Sequence, residues 1–222
     1  MSLASQRGAH LNDPGAELLD RVSGFWSRSG RYVLAGVGTV AAIGLIAFFT
    51  LRARAAAEEQ AAGRLAEANI YFWQGDYTRS LTMARQISEQ FGSTPSGVDA
   101  LRLAGDDAFW NGDFKGATEH YRRYLDRVKR GAIHDAVRRS YAYALESDRQ
   151  FRPAAEAYES LVGAFDRESS AECLTSAARC YRNLGQTADA AKRLQRVLDE
   201  FGETSYANAA RTHLGELTGG SS

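Results

Sequence analysis

Two hydrophobic patterns divide the chain. Residues 32–51 run without a charge, Tyr-Val-Leu-Ala-Gly-Val-Gly-Thr-Val-Ala-Ala-Ile-Gly-Leu-Ile-Ala-Phe-Phe-Thr-Leu. At ~1.5 Å per helical residue such a run spans the ~30 Å hydrocarbon core of a bilayer. Its flanks suit an anchor, with Arg28 and Arg31 before it, Arg52 and Arg54 after it, and Trp26 and Tyr32 as interfacial aromatics. A buried core helix does not need so uncharged a stretch. A cleaved signal peptide with Ala55-Ala56-Ala57 as its cleavage site fits less well, because the run exceeds the usual ~7–15 residues. Gly38 and Ala42 form a small-xxx-small pair that admits close approach of another transmembrane helix.

From about residue 57 to 217 the pattern becomes one of repeated helical hairpins. Phe72-Trp73-Gln74-Gly75-Asp76-Tyr77 returns 37 positions later as Phe109-Trp110-Asn111-Gly112-Asp113-Phe114. Seven residues before the two glycines stand Ala68 and Gly105, and five after them Ser80 and Ala117. The same step leads to Arg149, flanked by Ala142 and Ala154, and then to Gly185, flanked by Ala178 and Ala190. Small residues allow antiparallel helices to cross closely, while Tyr121, Tyr124, Tyr158, Leu161, Leu194 and Val197 are large enough to fill the space between hairpins. Glycine after the first helix accepts the left-handed backbone that ends it.

This template resembles the tetratricopeptide repeat over roughly three quarters of the chain. The second unit, 101–126, matches best. The third has Arg149 at the turn glycine, the fourth has Thr187 at the aromatic position, and the repeat-ending prolines are missing. The expected fold is therefore all-α, a single transmembrane helix followed by an α-solenoid of about four tetratricopeptide-like hairpins and a closing helix over 204–217. The domains expected are a largely disordered leader (1–31), the anchor (32–51), the repeats (52–217) and a disordered tail (218–222). Within the leader, Asn12-Asp13-Pro14-Gly15 signals a turn and 16–26 suits a short amphipathic helix.

Composition excludes several functions. The 222 residues hold 27 basic and 27 acidic side chains, so no nucleic acid is expected as a partner. His10, His120, His134 and His213 fall in separate segments, and Cys173 and Cys180 have no partners at metal-ligand spacing. The two cysteines lie about 10.5 Å apart on one predicted helix, too far to bridge, and read as small buried residues. Gly36-Val37-Gly38 lies inside the anchor and is no nucleotide fingerprint. Adjacent on a helix, Asp106 and Asp107 point in different directions and read as solvated. Neither enzyme activity, cofactor nor metal is expected.

Protein binding is the remaining activity. In tetratricopeptide solenoids the first helix of each pair lines the concave face. The matching positions here are Asn69, Phe72 and Trp73; Arg102, Asp106, Phe109 and Trp110; Arg139, Tyr143 and Glu146; and Arg179, Arg182 and Asn183. Leu65 stands where the family's carboxylate clamp has a cation, four residues before Asn69. A groove of Phe, Trp and Arg suits an extended or amphipathic apolar segment instead, although the Phe-Trp pairs can equally pack the hairpins together. Arg122, Arg123, Arg127, Lys129, Arg130, Arg138 and Arg139 form a local basic surplus that reads as a solvated surface.

The whole layout resembles the bacterial ancillary Sec-translocon subunit family: a short leader with Trp26 and Gly30, a Gly- and Ala-rich anchor, an Ala/Glu/Gln-rich helix over 55–65, and divergent repeats. The resemblance implies an inner-membrane protein with a cytoplasmic amino terminus and periplasmic repeats, working beside the secretion channel and a periplasmic chaperone. Arginine counts alone leave the orientation open, since the two flanks nearly tie. The alternative is a structural subunit of a stable envelope or membrane complex with no role in export, which Phe91-Gly92-Ser93-Thr94 and Phe201-Gly202-Glu203-Thr204-Ser205-Tyr206-Ala207 also fit.

Overall fold

The computed structural model describes residues 14–219. Among them lie nine α-helices and no strand: α1 (Pro14–Trp73), α2 (Tyr77–Gln90), α3 (Pro95–Trp110), α4 (Phe114–Arg127), α5 (Ala132–Ser147), α6 (Phe151–Glu159), α7 (Arg167–Asn183), α8 (Thr187–Glu200) and α9 (Tyr206–Gly219). The chain divides into two compact units at Ala55 and Ala56.

The first unit is the amino-terminal part of α1. Leu34, Val37, Val40, Ile43, Ile46 and Phe49 are each more than half exposed. A helix apolar on every side and left exposed among the described residues has the surface that lipid tails solvate. It is long and apolar enough to cross a membrane. Residues 14–31, expected mostly as a disordered leader with a separate short helix, are helical and continuous with the apolar run. Pro14 stands at the first helical position, where its missing N–H costs nothing, and no proline or left-handed glycine follows to stop the helix. Residues 1–13 and 220–222, the rest of the expected leader and most of the tail, lie outside the described residues.

In the second unit the carboxyl-terminal part of α1 pairs with α2, and α3 with α4, α5 with α6, and α7 with α8. Each helix from α2 onward packs on the next, and the first helices of neighbouring pairs also touch, α3 on α5 and α7 on the closing helix α9. The periodic small residues mark the crossings: Ala68, Ala142, Ala178, Ser80, Ala117, Ala154 and Ala190 are all buried. At Gly105 the helices approach closely enough that an added Cβ would lie 2.5 Å from the Tyr121 ring. Tyr121, Tyr124, Tyr158, Leu161, Leu194 and Val197 fill the spaces between pairs and are buried.

All four hairpin turns share one geometry. Gly75, Gly112, Arg149 and Gly185 take φ of +81°, +79°, +61° and +72°. In the first turn Gly75 N–H donates to Phe72 O and Asp76 N–H to Tyr71 O, both at 3.0 Å, the paired bonds of a Schellman stop. The others repeat it, down to Arg149 N–H on Glu146 O and Gln150 N–H on Leu145 O at 2.9 Å. Asp76 and Asp113 then cap the second helices of their pairs, accepting from Arg79 N–H and Gly116 N–H. Arg149 holds a left-handed backbone without glycine's freedom, at a cost of about 1 kcal/mol. Arg149→Gly is therefore expected to raise stability by up to about that amount, read as a higher urea midpoint for the full chain in detergent.

Where the family prolines are missing, side chains close the connections. Thr94 Oγ1 donates to Phe91 O at 2.9 Å and accepts from Gly97 N–H at 3.1 Å, and Thr204 Oγ1 donates to Phe201 O at 2.7 Å. Glu58 reaches from α1 to accept from Ser96 N–H at 3.1 Å and Ser96 Oγ at 2.7 Å, and these bonds hold its carboxyl below the usual range. Glu168 accepts from Ser205 N–H at 3.0 Å and from the Ser205 hydroxyl at the last connection. Each carboxylate ties one first helix to the amino-terminal end of the next, where negative charge is favoured.

Asp107 differs from its expected place. It is fully buried at the α2–α3 contact, where it accepts from Ser80 Oγ at 2.8 Å, and its Oδ1 has no partner. Burial raises its carboxyl to about 7 from an ordinary 3.8, with Asp106 next to it adding to the effect against the Ser80 bond and Arg102. Between those values the folded state binds more protons than the unfolded chain. Stability should thus fall as pH rises through this window, by up to about 1.4 kcal/mol per pH unit, and level off above it. Asp107→Asn keeps an acceptor for Ser80 and should flatten that slope, giving a higher denaturation midpoint than wild type at pH 8.

Candidate partner-binding face

The thirteen residues expected on the concave face separate into two groups. Most of the charged ones are engaged within the solenoid. Arg102 donates from Nε and Nη2 to Asp99 at 2.8 and 3.0 Å and from Nη1 to Asp106 at 2.7 Å. Glu146 accepts from Tyr158 Oη at 2.8 Å and from Arg179 Nε and Nη2 at 2.6 and 2.8 Å. Tyr143 donates its hydroxyl to Glu172, which Arg139 approaches to 3.9 Å while lying over the Phe165 ring. Arg182 stands 3.9 Å from Glu216 of the closing helix.

The Arg102 bonds stay within α3 and the Tyr158 bond within the α5–α6 hairpin. Glu146 with Arg179, Glu172 with Tyr143 and Arg139, and Arg182 with Glu216 link one repeat to the next element of the stack. Burial and the neighbouring carboxylates push the Tyr143 and Tyr158 hydroxyls upward, so both remain protonated donors. The bidentate bond to Glu146 raises Arg179. Asn69 donates Nδ2–H to Leu65 O at 2.8 Å, and Asn183 is exposed at the end of α7. Cys173 and Cys180 are free and buried, as their spacing implied, and burial raises their thiols to about 11 and about 12.

The aromatic pairs behave differently from the charged groups. Phe72 is half-buried against the cluster of Ala61, Leu65, Ala68 and Ile87, and Phe109 against that of Leu101, Ala108, Tyr121 and Val137. Their neighbours turn outward, Trp73 with 82% and Trp110 with 62% of its surface exposed. Each Phe-Trp pair thus splits into a packing residue and a surface residue.

The rings form a connected strip along the turns. Trp73 meets Phe72 edge-on at 5.4 Å, Phe72 meets Tyr77 at 5.5 Å, and Tyr77 stacks on Trp110 at 6.1 Å with 19° between planes. The strip continues from Trp110 to Phe109 and Phe114. Tyr77 is the link between the two repeats, and no sequence signal distinguishes it from Phe114 at the equivalent position. Beside the strip, Asp106, Phe109, Trp110, Tyr121, Ser140 and Tyr143 enclose a cleft of about 170 Å³. Tyr121 and Ser140 were not anticipated there. The basic surplus is partly spent locally: Arg127 donates to Gly92 O, Lys129 to Leu125 O, and Arg138 to Asp135 and Ser160, whereas Arg122 and Arg123 are exposed.

Residues 172–204 match the tetratricopeptide repeat family. No curated protein matches the chain. Solved structures of similar shape include a tetratricopeptide repeat protein from Parabacteroides merdae, 14% identical, with a TM-score of 0.61 over 73% of this chain and 61% of that one. A set of nearly identical TPR-like repeats from Podosopora anserina is 18% identical, with a TM-score of 0.57 over 72% and 86% of the two chains. MamA from Desulfovibrio magneticus, residues 41 to its end, is 16% identical, with a TM-score of 0.57 over 71% and 82%. The fold is that of a tetratricopeptide-like solenoid. Such solenoids are in general protein-binding scaffolds without enzyme activity.

Proposed function

We propose that this chain is a single-pass membrane scaffold whose repeats bind a segment of another protein along the aromatic strip. The observation that supports it is the paired exposure of Trp73 and Trp110 at equivalent positions of successive repeats. Two large aromatics kept in water at neighbouring turns lose nothing in folding and gain when a partner covers them. The segment that suits the strip is extended or amphipathic, with apolar side chains to set on the rings.

The finer reading places the protein in a bacterial inner membrane, its leader cytoplasmic and its repeats periplasmic, assisting export at the Sec translocon with a membrane-bound chaperone. What supports this is the order of the parts, a short leader, one Gly- and Ala-rich anchor, an Ala/Glu/Gln-rich segment and divergent repeats. Photocrosslinkers placed at 73 and 110 in native membranes should recover translocon subunits and nascent secreted chains. One stoichiometric, unrelated membrane complex in their place would assign the chain to that complex and end the export reading. Protease added to intact spheroplasts should degrade the repeats, and their survival would reverse the orientation.

A further inference from the structure

The cleft between α3, α4 and α5 has a composition unlike the rest of the strip. Its lining is mostly aromatic, Phe109 and Trp110 from α3, Tyr121 from α4 and Tyr143 from α5, with Asp106 and Ser140 as the other polar groups. Tyr77 covers one face of Trp110, and the indole also borders the cleft. The volume, about 170 Å³, is several times the ~30 Å³ of one water.

Charge is unbalanced around Asp106. Arg102 is held in a fork by Asp99, through both Nε and Nη2, and gives only Nη1 to Asp106. Two carboxylates thus share one guanidinium. Tyr121 Oη donates to Asp106 Oδ1 at 2.7 Å, which holds the carboxylate in place without neutralising it. Burial raises the Asp106 carboxyl, and the Asp99 charge adds to this, against the bonds from Tyr121 and Arg102. Of the remaining lining groups, none is a cation.

We infer that this cleft receives a cationic side chain, arginine, from the partner segment bound along the aromatic strip, with the guanidinium against the Trp110 indole and directed at the Asp106 carboxylate. The inference rests on the reading of the strip as a partner-binding face and adds the chemistry of its central contact. Aromatic faces attract a cation through their quadrupole, and a flat guanidinium can stack on indole while presenting donors to a carboxylate in its plane. Lysine fits the charge but not the stack.

The test uses the full chain in nanodiscs and a phage-displayed library of random dodecapeptides. Selected peptides should share an arginine beside apolar residues, bind with an affinity that falls with added salt, and lose about tenfold or more when that arginine is replaced by citrulline. Asp106→Asn keeps an acceptor for Tyr121 and should cause a comparable loss, while Trp110→Ala should weaken binding about thirtyfold. Peptides that bind but carry no common cation, or that tolerate citrulline, would overturn the inference and leave the strip as the binding face. Binders unaffected by Trp73→Ala and Trp110→Ala, or an absence of binders to wild type, would overturn the strip as well. The citrulline comparison is made on wild-type protein, so it stands even if Asp106→Asn perturbs the fold.

Discussion

Gly97→Ala is expected to cost the repeats about 3 kcal/mol or more, the upper range for overpacking a close contact. The new Cβ would lie 1.8 Å from Phe91 O, 2.3 Å from Phe91 C and 3.0 Å from Gly92 N, all backbone atoms. At an exposed helical site the same change would gain about 1 kcal/mol from helix propensity, so the steric effect must win by a wide margin. It has no soft direction in which to relax. The first turn of α3 is fixed by the Thr94 cap on Gly97 N–H and by Glu58 on Ser96, and separating it from Phe91 would loosen both. It would also open the cluster in which Ala100, Leu103 and Ala104 of α3 meet Ala61, Leu65 and Ile87. Because solenoid stability is a sum of nearest-neighbour interfaces, the loss should split the unfolding of α1 and α2 from that of α3 to α9. Urea titration of the full chain in detergent, followed by circular dichroism, should show a lower midpoint and a broader transition. An unchanged midpoint would show that the α2–α3 connection can move aside. Gly105→Ala should be milder, because the atoms 2.5 Å away belong to the Tyr121 side chain.

The repeat architecture was legible because its physical requirement is local and periodic. Close helix crossings need small residues, and Ala68, Gly105, Ala142 and Ala178 recur at the repeat step. Arg149 shows how far the template governs, since the turn keeps its left-handed φ without the glycine. The role of the concave-face charges was not legible in the same way. Glu146 with Arg179 and Glu172 with Arg139 are each 33 residues apart, and opposite charges at such spacing pair only once the helices are docked.

Asp107 was misread although its signal was present. Ala100, Leu103 and Ala104 precede it by seven, four and three positions and share its helix face, all of them buried. The two carboxylates do point in different directions, but the step of about 100° from Asp106 carries Asp107 onto that buried face rather than into solvent. The cleft needed the fold itself, because it takes residues from three helices. Nothing in the sequence distinguishes Phe72 and Phe109, which pack, from Trp73 and Trp110, which do not, since a one-residue step at a helix end is enough to turn a ring from core to water.

That division gives the sharpest separation of binding from stability. Trp73→Ala with Trp110→Ala should reduce recovery of crosslinked partner from native membranes by a hundredfold or more, taking about 2 kcal/mol for each aromatic anchor. The same double variant should melt within about 1.5 kcal/mol of wild type. Trp73 is 82% exposed and contributes little to the fold, and Trp110 loses mainly its stack on Tyr77, a contact of about 0.5–1.5 kcal/mol. Phe72→Ala and Phe109→Ala should show the opposite balance. Each removes a ring packed against a buried cluster, so each should lower the urea midpoint by the equivalent of about 2–3 kcal/mol. Crosslinkers for this comparison belong at exposed strip positions other than 73 and 110, such as Gln74 and Asn111. If the tryptophan variant melts as early as the phenylalanine ones, the indoles are packing residues. If it melts normally and still recovers its partner, the partner binds elsewhere on the solenoid. Only normal melting together with lost recovery fits a strip in which one ring of each pair holds the hairpin and the other meets the partner.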